Sequence, residues 1–155
     1  MPSLLNLPLT DLHTAEDTDI STIASNSTGI IIDFWTTKCT RCPAALDKLH
    51  ALSLDPLYAK YTFLSIVCDA LDPARDILHA DKDVKWPNIR HLFTPVESKE
   101  LAKAHYGFNQ VPFYVVYEDG EVKQASNKVD FEALVKPAYE EEKKEEREFC
   151  MDEDF

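Results

Sequence analysis

The stretch KCTRCP, residues 38–43, places two cysteines two residues apart in a chain of 155 residues that has only four. A thiol pair at that spacing suits three kinds of chemistry: a metal site, a structural bridge or a redox centre. A zinc site takes about four ligands, commonly two such pairs or one pair with two spaced histidines. Here the other cysteines, Cys68 and Cys150, are single, and His13, His50, His79, His91 and His105 show no HxxxH spacing. No metal is therefore expected. A permanent bridge across so short a loop removes little chain entropy, and it would be reduced in a cytosolic setting. Reversible thiol–disulfide exchange fits the local chemistry better.

Cys39 is expected where a strand turns into a helix. Unsatisfied N–H groups and the positive end of the helix dipole stabilise a thiolate there. Lys38 and Arg41 flank it and push the same way. Thiol pKa values in such motifs fall to about 3.5–7, which would leave Cys39 largely ionised at neutral pH. Cys42, one turn further in, is expected to be buried and to resolve the mixed disulfide.

Asp33, six residues before Cys39, is the second candidate. A carboxylate inside IIIDFW is costly to bury and should have a raised pKa. One account is an aspartate at a strand end that reaches solvent or a nearby cap. The other is a proton acceptor for Cys42 during exchange, and the neighbouring cysteine pair favours it.

These residues need elements to hold them. IIIDFW, residues 30–35, reads as a buried strand, apolar without alternation. From Thr40 to about Ser53, Ala45, Leu46, Leu49 and Leu52 fall at helical spacing, with Pro43 in the first turn, where proline is tolerated. YTFLSIVCD, 61–69, reads as a second buried strand and makes Cys68 a small, inert hydrophobe. Residues 17–27 are weakly helical with good capping residues, and Gly29 punctuates. PARDILHADKD, 73–83, reads as a helix and IRHLF, 89–93, as a short strand. ESKELAKAHYGF, 97–108, is a helix closed near Gly107. Residues 112–126 form a hairpin turning at Glu118, Asp119 and Gly120, with an edge-like second strand. A last helix is expected from Val129 to about Glu148. Strands alternating with helices, then a hairpin and a helix, indicate one α/β domain with a mixed sheet covered on both faces.

The formal net charge of −12 disfavours nucleic acid and an anionic membrane surface. No apolar run approaches the ~20 residues needed to cross a bilayer. Only three glycines are present, and no Gly-rich phosphate loop appears. The N-terminal segment has no basic stretch and soon turns acidic, so a cytoplasmic address is expected. Half of the charge sits in residues 139–155, which hold nine acidic and three basic residues, a net of −6. That tail reads as a solubilising helical extension, although Phe149 and Phe155 would suit the groove of a basic partner.

IIIDFWTTKCTRC resembles the thioredoxin motif, in which an apolar strand carries Asp-Phe-Trp and the tryptophan precedes the first cysteine by four. NQVPFYVVYEDGEV, 109–122, resembles the same family's second motif, a Val-Pro pair entering a strand and a turn. The resemblance covers most of residues 10–137. It implies a thioredoxin-like α/β fold over residues 1–138, followed by the acidic tail at 139–155. It also implies Cys39 as nucleophile, Cys42 as resolver and Asp33 as the buried acid. Pro112 would be a cis-proline facing the cysteines, a conformation found in only ~5–6% of X–Pro bonds. Val111 would offer backbone hydrogen bonds to an extended substrate. Substrate contacts are expected from Trp35, Lys38, Thr40, Arg41, Val111 and Pro112.

Residues 72–93 add a helix and a strand that plain thioredoxin lacks, which is similar to the tryparedoxin and peroxiredoxin-like branch. Trp86 in that insertion is expected to pack in the core. The pattern departs from thioredoxin where Lys38 replaces an exposed tryptophan and Thr40–Arg41 replaces a proline-containing pair.

The resemblance implies a thiol–disulfide oxidoreductase that reduces protein disulfides, needs no cofactor of its own, and draws electrons from an upstream thiol reductant. The alternative is a non-catalytic thioredoxin-like subunit of a larger assembly, as in the thioredoxin-like light chains of flagellar dynein. The tail, Lys38 and Thr40–Arg41 speak for that reading.

Overall fold

The computed structural model describes residues 6–25 and 27–135. In chain order the elements are β1 (Leu9–Asp11), β2 (Asp17–Thr18), α1 (Ile20–Ile23), β3 (Gly29–Trp35), α2 (Cys42–Ser53), β4 (Tyr61–Val67), α3 (Leu71–Leu78), β5 (Arg90–Phe93), α4 (Val96–Tyr106), β6 (Phe113–Glu118), β7 (Glu121–Ser126) and α5 (Phe131–Leu134). Together the strands form one sheet in the order β2-β1-β5-β4-β3-β6-β7. β3, β4 and β5 are parallel, while β6, β7, β1 and β2 join antiparallel.

The unbroken apolar runs of β3 and β4 follow from this placement, because parallel central strands are covered on both faces. All seven residues of β3 are buried. Its alternation splits the core in two. Ile31 and Trp35 pack with Cys42, Leu46 and Leu49 of α2, with Ala74 and Leu78 of α3, and with Phe131 of α5. Ile30, Ile32 and Phe34 pack on the other side with Ile20 of α1 and Ala102 of α4. Trp86 is buried, as expected, and its indole N–H donates to Asp47 at 2.7 Å.

The helical reading of residues 17–27 is corrected. Asp17 and Thr18 pair with β1 instead, and only Ile20–Ile23 is helical, capped by the Asp19 carboxylate accepting from the Thr22 N–H at 2.7 Å. Weak helix formers gave way to edge pairing, since tertiary context overrides propensity. Gly29 lies inside β3, where a Cβ would stand 2.5 Å from the Tyr61 ring. Gly107 closes α4 with φ 72°, in the left-handed conformation that glycine adopts without penalty. Within the described residues the last helix is Phe131–Leu134. Its expected continuation, the boundary at 138 and the acidic tail with Cys150 lie outside the described residues.

Candidate redox site

The site forms where β3 ends. Trp35 passes its carbonyl to the Cys68 N–H at 2.8 Å, which holds the ends of β3 and β4 together. The loop then leaves the sheet, and Thr37 is tied down by Asp69, whose carboxylate accepts from the Thr37 N–H at 3.0 Å and from its hydroxyl at 2.6 Å. Cys39 and Cys42 are joined as a disulfide with their Cα atoms 5.4 Å apart.

The helix begins two residues later than expected. Cys42 is its first residue and Arg41 its cap, and Pro43 sits in the first turn, where a missing N–H does no harm. Cys39 therefore stands ahead of the helix tip rather than within it. The two sulfurs are unequal: Cys39 is partly exposed, whereas Cys42 is fully buried.

Opposite the disulfide is the loop before β6. The Val111–Pro112 peptide bond is cis. Cys39 Sγ lies 3.7 Å from the Val111 carbonyl oxygen. That loop is clamped from the hairpin exit by Asn127, whose amide donates to the carbonyls of Gln110 and Pro112, both at 2.9 Å. A groove beside the disulfide is lined by Lys38, Cys39, Thr40, Arg41, Asn109, Gln110 and Val111. Lys38, Thr40 and Arg41 are exposed on its rim.

The carboxyl group of β3 is Asp33. Alternation along β3 puts it on the face of Ile31 and Trp35, the cluster that contains Cys42. It is fully buried, and neither carboxyl oxygen has a hydrogen-bond partner. Burial pushes its pKa well above the ordinary carboxylate range. The strand-end account, with Asp33 reaching solvent or a cap, does not describe this residue.

The structure thus brings Cys39, Cys42, Lys38, Thr40, Arg41, Val111 and Pro112 together, and Asp33 lies on the sheet face covered by the cluster that holds Cys42. Trp35 is placed differently. Its side chain is fully buried against Trp86, ring centroids 6.4 Å apart, so it offers no surface to a substrate, contrary to the contact expected of it. Asn109, Gln110 and the Asn127 clamp join the site beyond the expected residues, because their places arise from chain crossings rather than from spacing. Cys68 is buried, and burial pushes its thiol up to about 12.

No protein-family model and no curated protein sequence matches this chain. Solved structures do resemble it. A secreted Mycobacterium tuberculosis disulfide oxidoreductase, homologous to DsbE of E. coli, is 22% identical with a TM-score of 0.57, over 82% of this chain and 87% of that one. The exposed lipoprotein thioredoxin of Streptococcus pneumoniae is 13% identical with a TM-score of 0.63, over 88% and 98%. The thioredoxin domain of a Bacteroides vulgatus thiol–disulfide oxidoreductase is 13% identical with a TM-score of 0.60, over 84% and 91%. At these identities the likeness is one of fold. It shows that the protein has a thioredoxin-like fold, and the structure places Cys39 and Cys42 within bonding distance.

Proposed function

We propose that the protein reduces protein disulfides in the cytoplasm by exchange through Cys39 and Cys42. The Cys39 thiolate attacks one sulfur of the substrate disulfide. That S–S bond breaks, one substrate thiolate leaves and takes a proton from water, and a Cys39–substrate disulfide remains. Cys42 then gives its thiol proton to Asp33, and its sulfur attacks Cys39 Sγ. The second substrate thiolate leaves and the Cys39–Cys42 disulfide forms. Two electrons have passed to the substrate, and an upstream dithiol reductant restores them.

The observation that carries this reading is the asymmetry of the disulfide, one sulfur at a groove and the other fully buried, on a sheet face that also holds a buried carboxyl group with no partner. Lys38 and Arg41 favour the thiolate, and the Val111 and Pro112 backbone edges the groove where an extended chain would lie. Thr40 completes its rim. No observation on the described residues favours the interaction-subunit reading over this one.

The test is reduction of insulin disulfides with dithiothreitol as donor. Wild type should accelerate it, Cys39→Ser should fall to background, and Cys42→Ser should accumulate a mixed disulfide with the substrate. Full activity in Cys39→Ser protein would rule the mechanism out.

A further inference from the structure

The charges around the exposed sulfur oppose the charge of the whole chain. The formal net charge is −12, yet the charged residues that line the groove beside Cys39 are Lys38 and Arg41, both cationic. The rest of the lining is neutral: Thr36, Thr40, Asn109, Gln110 and Val111. A segment that brings its sulfur to Cys39 through this groove meets two cations and no carboxylate.

Both cations are also unspent. Lys38 and Arg41 are exposed, and among the described residues neither has an ion pair. Other cations of the chain do have carboxylate partners, as Lys60 has Glu118 at 3.3 Å and Arg90 has Asp11 at 2.7 Å. Asp69 anchors the loop that carries Lys38, but its carboxylate is occupied by the N–H and hydroxyl of Thr37 and by the N–H of Ala70. The facing loop is held by Asn127, a neutral residue. Two free cations therefore stand on a backbone that is tied down on both sides of the groove.

The donor set suits carboxylates. A guanidinium presents N–H groups in a fork that matches a carboxylate, an ammonium adds three more donors, and the Thr40 hydroxyl and the Asn109 and Gln110 amides can donate as well. Range favours these local groups over the diffuse acidity of the chain, because charge is screened over about 8 Å at physiological ionic strength.

We propose that the Cys39 groove selects disulfides set among acidic residues, with Lys38 and Arg41 receiving the carboxylates that flank the substrate cysteine while its sulfur meets Cys39. Such selectivity belongs to the same site and rests on the exchange reading given above. A segment with cations beside its cysteine is rejected, since it meets like charge and finds no carboxylate in the lining.

The test is the exchange rate of the reduced full-length protein with two probe peptides, identical except that aspartates or lysines flank their one cysteine. That cysteine is joined by a disulfide to neutral thiopyridine. Cys39 attacks the peptide sulfur, the S–S bond breaks, and pyridinethione leaves and is followed by its absorbance. The rate of Cys39→Ser protein is subtracted, which removes reaction at other thiols. The aspartate peptide should react about three- to tenfold faster than the lysine peptide, as suits two exposed ion pairs. Lys38→Ala combined with Arg41→Ala should abolish the preference, and Lys38→Glu combined with Arg41→Glu should reverse it. A less ionised Cys39 slows both peptides alike, so the ratio between them separates recognition from thiolate stabilisation. Equal rates in wild type, a lysine preference, or an aspartate preference that survives the alanine pair would overturn the proposal. Insulin reduced by a protein without preference would sink this inference and leave the reductase reading standing. Preference in a protein that does not reduce insulin would do the opposite.

Discussion

Two neighbouring rungs of the same sheet follow opposite rules. The one facing α2 is Tyr114–Asp33–Ser65–His91. The next, one residue along each strand and facing α4, is Phe113–Phe34–Ile66–Leu92. All eight side chains are buried, so burial does not distinguish them. In the apolar rung Phe34 lies 5.2 Å from Phe108 and 6.5 Å from Phe113, and Phe108 stacks on Phe113 at 4.4 Å. Contacts of that kind stabilise a fold wherever they occur. In the polar rung the two Asp33 oxygens have no partner, an arrangement that costs stability. The comparison separates a rung built for cohesion from one that gives up cohesion to bury a carboxyl group without a partner.

The sharpest way to break this contrast is to truncate each rung. Phe34→Ala should lose about 3–5 kcal/mol by urea unfolding, while any folded protein keeps the exchange chemistry. A loss below about 1 kcal/mol would show that the apolar rung is not the cohesive one.

Acidification should weaken the polar rung through His91. His91 has a folded pKa of about 4 against an ordinary 6.5, so between those values the unfolded chain binds more protons. Its contribution is fully present above pH 6.5 and is lost as pH falls through 4, on the order of 3 kcal/mol. His91→Asn should remove that slope from the stability–pH curve.

Asp33 runs the other way. Its folded pKa is raised, so the folded state binds more protons than the unfolded chain. Its stabilising contribution is complete below the ordinary value of 3.8 and is lost as pH rises through the folded value. Asp33→Asn should therefore be more stable than wild type at alkaline pH and gain nothing in acid. The same variant should resolve the Cys39–substrate disulfide about a hundredfold more slowly, measured by stopped-flow with a trapped intermediate. Lys38 and Arg41 lie outside both rungs, and there the smallest effect is expected. Replacing both with alanine should slow alkylation of reduced Cys39 at neutral pH about two- to fivefold, as suits exposed charges.

Much of the site was legible in the residues. The cysteine pair, Asp33 in its apolar strand, and the Val111–Pro112 pair all fall in the places that the resemblance assigned them. The hairpin turn was legible as well, because Asp119 at φ 53° and Gly120 at φ 80° are residue types that accept the left-handed region. Legibility failed where long-range contact decides. Asp17 and Thr18 pair only because β1 lies beside them. Trp35 is sealed by Trp86, which arrives 51 residues later in the chain. Ser65 and His91 did leave a trace, as polar residues among the apolar residues of β4 and β5. Their partnership, however, depends on β5 lying next to β4.

By itself the sequence determined which cysteines stand at the spacing of an exchange pair and which strands must be buried. Thiol chemistry depends on residue type and near spacing, and strand burial on continuous apolar runs, both of which are local properties. Only the tertiary structure decided that Trp35 is sealed by Trp86, and that Asp33 has no partner while Ser65 and His91 have each other. Those facts are distances between segments far apart in the chain. They exist only once parallel pairing of β3, β4 and β5 has set the register.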